Sequence, residues 1–132
     1  MPNIFSTDDF GTAKNELQQD YFDRHTPVVQ AVQEARPGEI LKIRVRVGTH
    51  YAHPHESDHY IALIQLWNRE TLLAETRYFH GSMGNQPGHT EVEFTIVMPQ
   101  VSMNLTALSY CTRHGLWRSQ PHAIKVVSRS EE

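Results

Sequence analysis

Ile40-Leu41-Lys42-Ile43-Arg44-Val45-Arg46-Val47-Gly48 is the stretch that decides the fold. Leu41, Ile43, Val45 and Val47 alternate with Lys42, Arg44 and Arg46. A side-chain period of two puts the apolar set on one face of a strand and the bases on the other. Such a strand needs a second layer over its apolar face, and Gly48 ends it. Upstream, Arg36-Pro37-Gly38-Glu39 reads as a turn and Val28 to Val32 as a first strand. Residues 8–20 read as a short helix, with Asp8 and Asp9 at its start and Ala13, Leu17 and Tyr21 on one face. His25-Thr26-Pro27 closes that region, because the residue before a proline is driven out of the helical basin.

Downstream, Tyr60 to Trp67 is apolar on both faces, as a central covered strand would be. Asn68-Arg69-Glu70 turns tightly into Thr71–Phe79, which makes a hairpin. Residues 80–89 hold Gly81, Gly84, Pro87 and Gly88 and read as a loop. Thr90 to Met98 alternates again, with Val92, Phe94 and Ile96 inward. Met103 to Tyr110 and Ala123 to Val127 complete the set, and a polar tail begins at about Ser128. About seven short strands with a short N-terminal helix predict an all-β fold, an immunoglobulin-like antiparallel β-sandwich. No linker or repeat divides the chain, so residues 1–132 are expected to form one domain.

The net charge is −3 and no basic run occurs, which argues against a nucleic-acid surface. No apolar run approaches a membrane span. The first ten residues carry acids where a signal peptide carries bases, so the expected location is cytoplasmic. The single cysteine, Cys111, has no disulfide partner within the chain, and the nine histidines are the one compositional anomaly.

Three of those histidines fall in His53-Pro54-His55-Glu56-Ser57-Asp58-His59, between two strands. Pro54 stiffens this loop and so lowers the entropy lost on ordering it around an ion. The cysteine lies in Cys111-Thr112-Arg113-His114-Gly115-Leu116-Trp117. A thiolate and an imidazole three residues apart at a strand end can share one metal, and backbone N–H groups of the turn can stabilise the sulfur. His53, His59, Cys111 and His114, joined by the isolated His25, are the metal-ligand candidates. His50, His55, His80, His89 and His122 lack partners at ligand spacing and read as solvated. Sulfur with imidazole suits iron, copper or zinc rather than magnesium or calcium.

Three rivals fit less well. A blue-copper site expects a methionine after the last histidine, and Met83, Met98 and Met103 all precede Cys111. A cupin-like site expects a glutamate where His59 stands. A zinc-stabilised interaction domain would need four ligands, one fewer than are on offer.

His53-Pro54, then His59-Tyr60-Ile61, then Cys111-x-x-His114-Gly115-x-Trp117 resembles the superoxide reductase family: neelaredoxin and the iron domain of desulfoferrodoxin. Asp23-Arg24-His25-Thr26-Pro27 stands where that family carries Glu-Lys-His-x-Pro. The extra cysteine-rich domain of desulfoferrodoxin is absent, so the neelaredoxin-like form is the nearer match. The resemblance implies one mononuclear non-haem iron cycling between Fe(II) and Fe(III). His25, His53, His59 and His114 would be its equatorial ligands and Cys111 the axial thiolate, with His114 binding through its other ring nitrogen.

The reaction implied is one-electron reduction of superoxide to hydrogen peroxide, with the iron re-reduced by an external donor such as rubredoxin. The resemblance also leaves room for a homo-oligomer, dimer or tetramer. Two catalytic positions depart from the family's pattern. Asp23 is one methylene shorter than the family's glutamate, so a weaker or absent carboxylate ligand is expected. Arg24 keeps the lysine's charge for steering but gives up no proton, so proton delivery would run through water.

Overall fold

The computed structural model describes residues 16–128. Among them lie one helix, α1 (Glu16–His25), and nine strands: β1 (Pro27–Gln30), β2 (Glu34–Ala35), β3 (Ile40–Val47), β4 (Ile61–Asn68), β5 (Thr71–Arg77), β6 (Glu91–Val97), β7 (Met103–Cys111), β8 (Gly115–Arg118) and β9 (His122–Val126). One sheet has the order β1-β3-β6; the other runs β2-β9-β7-β4-β5, with β8 paired to β7. The fold is an all-β, immunoglobulin-like sandwich. No described helix is long and apolar enough to cross a membrane.

The alternation of β3 carries directly into burial. Leu41, Ile43, Val45 and Val47 are buried, while Lys42 and Arg44 are exposed. They meet Ile61, Ile64 and Leu66 of β4, Met103, Leu105 and Ala107 of β7, and Ile124 of β9 in one core cluster. Burying each Val, Leu or Ile side chain contributes about 1.5–3 kcal/mol, so this row holds the two layers together. β4 is paired on both edges, with β5 and β7, but only one of its faces is fully covered: Ile61, Ile64 and Leu66 are buried, while Leu63, Gln65 and Trp67 are only partly so. The 36–39 turn is present, with Gly38 at φ 86 and the Glu39 amide donating to the Arg36 carbonyl at 3.1 Å.

The structure differs from the sequence reading in three places. The helix does not end at residue 20 but runs to His25; the expected cap, Asp8 and Asp9, lies outside the described residues. The residue barred from helix by Pro27 is Thr26, so the helical turn persists until the position just before it. β2 and β8 have no counterpart in the sequence patterns. β2 is two residues long and pairs with β9 in parallel, the one exception to the antiparallel pattern among the strands.

Candidate metal centre

Five side chains from three separated segments converge at one end of the sandwich. Each is held by its own local structure. Cys111 is the last residue of β7, opposite Ile61 of β4 and Gly115 of β8. The pairing of β4 with β7 shifts register between Ile61 and Leu63, beside the cysteine. Such bulges re-aim side chains at sheet ends. A three-residue turn then brings His114 back over the sulfur, and Gly115 at φ 84 completes it.

His25 ends α1, and the buried Ser109 hydroxyl of β7 donates to its carbonyl at 3.0 Å, fixing helix to sheet. His53 is clamped through its backbone: its amide donates to the Gly88 carbonyl at 2.9 Å and its carbonyl accepts from the Gly88 amide at 3.1 Å. His59 closes a small turn with Glu56. Thr112 laces the two loops together, its hydroxyl donating to the Asp58 carbonyl at 3.2 Å and accepting from the Tyr60 amide at 3.1 Å.

The four imidazoles stand in a ring. Centroids of His25 and His53, His53 and His59, and His25 and His114 are 4.8 Å apart, and those of His59 and His114 are 5.0 Å apart. Adjacent planes are inclined by 68–80°. Ligand atoms of His25, His59, Cys111 and His114 all lie within 4.8 Å of one another. His53 joins through Nε2, 3.3 Å from Cys111 Sγ, and His114 Nδ1 is 3.7 Å from the same sulfur and 3.1 Å from His25 Nε2. Donors at about 2.1–2.3 Å on opposite sides of a metal ion would be about 4.4 Å apart, so this cluster has the right span for one ion.

The second contacts decide which nitrogen each ring offers. His25 Nδ1 lies 2.7 Å from the Tyr21 carbonyl and His53 Nδ1 2.8 Å from the Pro54 carbonyl, leaving both Nε2 atoms facing the cluster. A ring N–H given to a carbonyl fixes the tautomer in this way at metal sites. His59 Nε2 is buried without a hydrogen-bond partner among the described residues, an orphaned acceptor that a cation would satisfy. Trp117 stacks on His25 at 4.9 Å and donates its indole N–H to the His114 carbonyl at 3.0 Å, steadying both rings. Tyr21 packs edge-on against His114 at 5.2 Å.

Electrostatics favour neutral imidazoles. Burial pushes His25 down to about 4 and His53 down to about 3, and it lowers His59 and His114 as well. Burial raises the Cys111 thiol, while the backbone N–H groups of Arg113 and His114 pull it down. A bound divalent ion would deprotonate the thiol outright. Neutral imidazoles with a thiolate fit a borderline or soft transition metal, and among the described residues the cluster holds no carboxylate.

The remaining two sequence candidates lie beside the cluster rather than in it. The buried Asp23 carboxylate accepts from the backbone amides of Thr49, His50 and Tyr51 and from the Thr49 hydroxyl, at distances of 2.5–3.2 Å. Burial raises its pKa, but these four donors together outweigh burial and hold it below the usual carboxylate value. Arg24 makes a two-point pair with Asp20, at 2.6 and 2.8 Å.

Ser109 and Thr112, which tie the ligand-bearing segments together, carry no sequence signal of their own, and Tyr21 is legible only as a helix-face residue and not as the carbonyl that orients His25. Of the histidines read as solvated, His55 is buried and bonds the Thr90 hydroxyl at 3.2 Å, while His89 and His122 bond the backbone carbonyls of Val47 and Val32.

A family model described as desulfoferrodoxin matches residues 17–120. The superoxide reductase of Pyrococcus furiosus is 30% identical, covering 74% of this chain and 86% of its own. That of Thermococcus kodakarensis is 32% identical, covering 74% and 85%. Among solved structures, superoxide reductase (neelaredoxin) from Ignicoccus hospitalis superposes with a TM-score of 0.67 at 28% identity, covering 91% of this chain and all of its own. Superoxide reductase from Nanoarchaeum equitans gives 0.60 at 27% identity, covering 76% and 93%.

Proposed function

The chain belongs to the desulfoferrodoxin family, and on that premise we propose that it is a superoxide reductase with a mononuclear non-haem iron held by His25, His53, His59, His114 and Cys111. The observation that carries the reading is the ring of four imidazoles closed over one buried sulfur, with His59 Nε2 left without a partner. Iron bound there would supply a one-electron couple, with thiolate donation pushing density toward whatever small molecule it meets. Superoxide takes up one electron and two protons and leaves as hydrogen peroxide. A small external one-electron carrier, such as rubredoxin, restores the starting state.

The chain's own residues do the rest. The Tyr21 and Pro54 carbonyls hold the protons on Nδ1 of His25 and His53, keeping each Nε2 free to bind. Burial disfavours the charged form of all four rings, so among the five ligands the thiolate alone would carry negative charge, and ferrous iron held there would make a cationic centre that attracts an anion. Arg24 adds positive charge at the rim, reduced by its pairing with Asp20. Asp23, bound by the 49–51 backbone, serves as an anchor between α1 and the loop leading to His53 rather than as a carboxylate ligand. Neither residue is placed to deliver a proton, and the partial exposure of His59 and His114 leaves solvent to supply it.

The test begins with metal content and a visible spectrum of the oxidised protein. A thiolate-to-iron charge-transfer band that vanishes in Cys111→Ser is expected, together with rapid stopped-flow consumption of superoxide by the ferrous form. A colourless zinc protein inert to superoxide would overturn the assignment in favour of a metal-stabilised binding domain.

A further inference from the structure

We infer that Arg113, more than Arg24, is the residue that draws the anionic substrate to the metal centre, and that Asp58 holds that charge in check. The inference rests on the superoxide reductase reading above and adds to it the residue that governs substrate approach. His25, His53 and Cys111 are buried, whereas His59 and His114 are only partly so, so an incoming anion meets the cluster from the side of those two rings. Arg113 adjoins His114, Asp58 adjoins His59, and the guanidinium Nη2 lies 3.0 Å from the Asp58 carboxylate. The Arg113–Asp58 pair therefore spans the two loops that carry the two accessible rings. Thr112 ties those loops together independently of it, so the guanidinium is presented from a fixed base.

The two arginines differ in how free their charge is. Arg24 is held at two points by Asp20, with its side chain 31% exposed. Among the described residues the Arg113 guanidinium makes one ion-pair contact, and both partners are open to solvent at 57% and 69%. An exposed single-point pair is worth little and exchanges readily with other anions, whereas a two-point fork is retained. A small anion replacing Asp58 at the guanidinium would stand beside the accessible edge of the cluster.

The experiment uses the iron-loaded protein and two probes. One is azide, titrated into the oxidised protein by its visible spectrum; the other is superoxide, in stopped flow across a range of ionic strength. Arg113→Ala is expected to weaken azide binding and to slow superoxide capture by about three- to fivefold at low salt, with the difference fading above about 0.3 M as screening sets in. Arg113→Lys should recover most of the loss, since steering needs charge and not the fork. Asp58→Asn should shift both readouts the other way, and Arg24→Ala should change them less than Arg113→Ala does. Lys42→Ala, which removes the same charge at the far end of β3, should leave both unchanged.

Equal azide affinity and equal salt dependence in Arg113→Ala and the parent, or a larger effect from Arg24→Ala, would overturn the inference. A parent protein that binds iron and azide but ignores superoxide would overturn the enzymatic reading while the azide arm still decides the role of Arg113. A parent that holds no iron overturns both.

Discussion

The Asp23 carboxylate shows how much one side chain can decide. It accepts from three consecutive backbone amides and one hydroxyl, so it acts as the fixed anion on which residues 49–51 are folded. Removing it strands those donors, and a charged acceptor with this many partners is worth about 2–4 kcal/mol. Asp23→Ala should lower stability by that amount in denaturant melts and weaken metal retention, because the released loop leads to His53. Asp23→Asn keeps one acceptor oxygen and should fall between.

The pH dependence of Asp23 follows from its lowered pKa. A carboxylate depressed on folding contributes stability above its unfolded value, about 3.9, and that contribution is lost as pH falls through the lower folded value. The acid limb of the stability profile should therefore flatten in Asp23→Ala. An unchanged limb would show that the four hydrogen bonds hold nothing. None of this was legible in the sequence. Asp23 was visible as a shortened glutamate, but its partners are backbone groups 26 to 28 positions away.

Between the elements, the decisive joints are short, and they are where sequence patterns are silent. β3, β4 and β7 were legible because eight or nine residues of alternating or continuous apolar character leave few other solutions. β2 and β8 were not, because two or four residues carry no periodicity, and their pairing is imposed by neighbours. α1 reaches His25 because Pro27 excludes only Thr26, the residue before it, from the helical region. The convergence of the three histidine- and cysteine-bearing segments was read from motif order; the orienting contacts of Tyr21, Ser109 and Trp117 needed coordinates.

Gly48 is the joint between β3 and the histidine loop. It has φ 84, and a Cβ there would lie 2.9 Å from the Tyr51 carbonyl oxygen and 3.2 Å from that of Asp23. Both atoms are backbone and cannot swing aside. Gly48→Ala should cost about 2 kcal/mol, from the left-handed conformation and the forced displacement together. Thermal melts would measure it, and a variant as stable as the parent would mean that the loop re-forms freely. Ser109→Ala cuts the tie between β7 and the end of α1. It should lower stability by about 1 kcal/mol and accelerate metal loss to a chelator, since the deleted bond fixes His25.

Across the whole molecule, folding, protons and metal act on the same five side chains. The ligands come from three distant segments, so only the folded chain brings them together, and a metal that binds it alone raises its stability by mass action. Protons oppose both. Without metal, the folded chain keeps His25 and His53 neutral down to about 4 and 3, while in the unfolded chain they titrate near 6.5. Below that unfolded value the unfolded chain binds more protons, so stability rises with pH across the window and is lost as pH falls through it. The denaturant midpoint of the metal-free protein should therefore decline from pH 7 toward pH 4, before the Asp23 limb is reached. In the metal-loaded protein the same protons compete with the ion, so the stability gained from metal should shrink over that window and vanish once His25 is protonated. Paired melts of loaded and chelator-treated protein at pH 7.5, 6 and 4.5 test this. A metal-free midpoint that holds level or rises on acidification would mean that the imidazoles are not kept neutral by burial, and that the site is built only when the metal arrives.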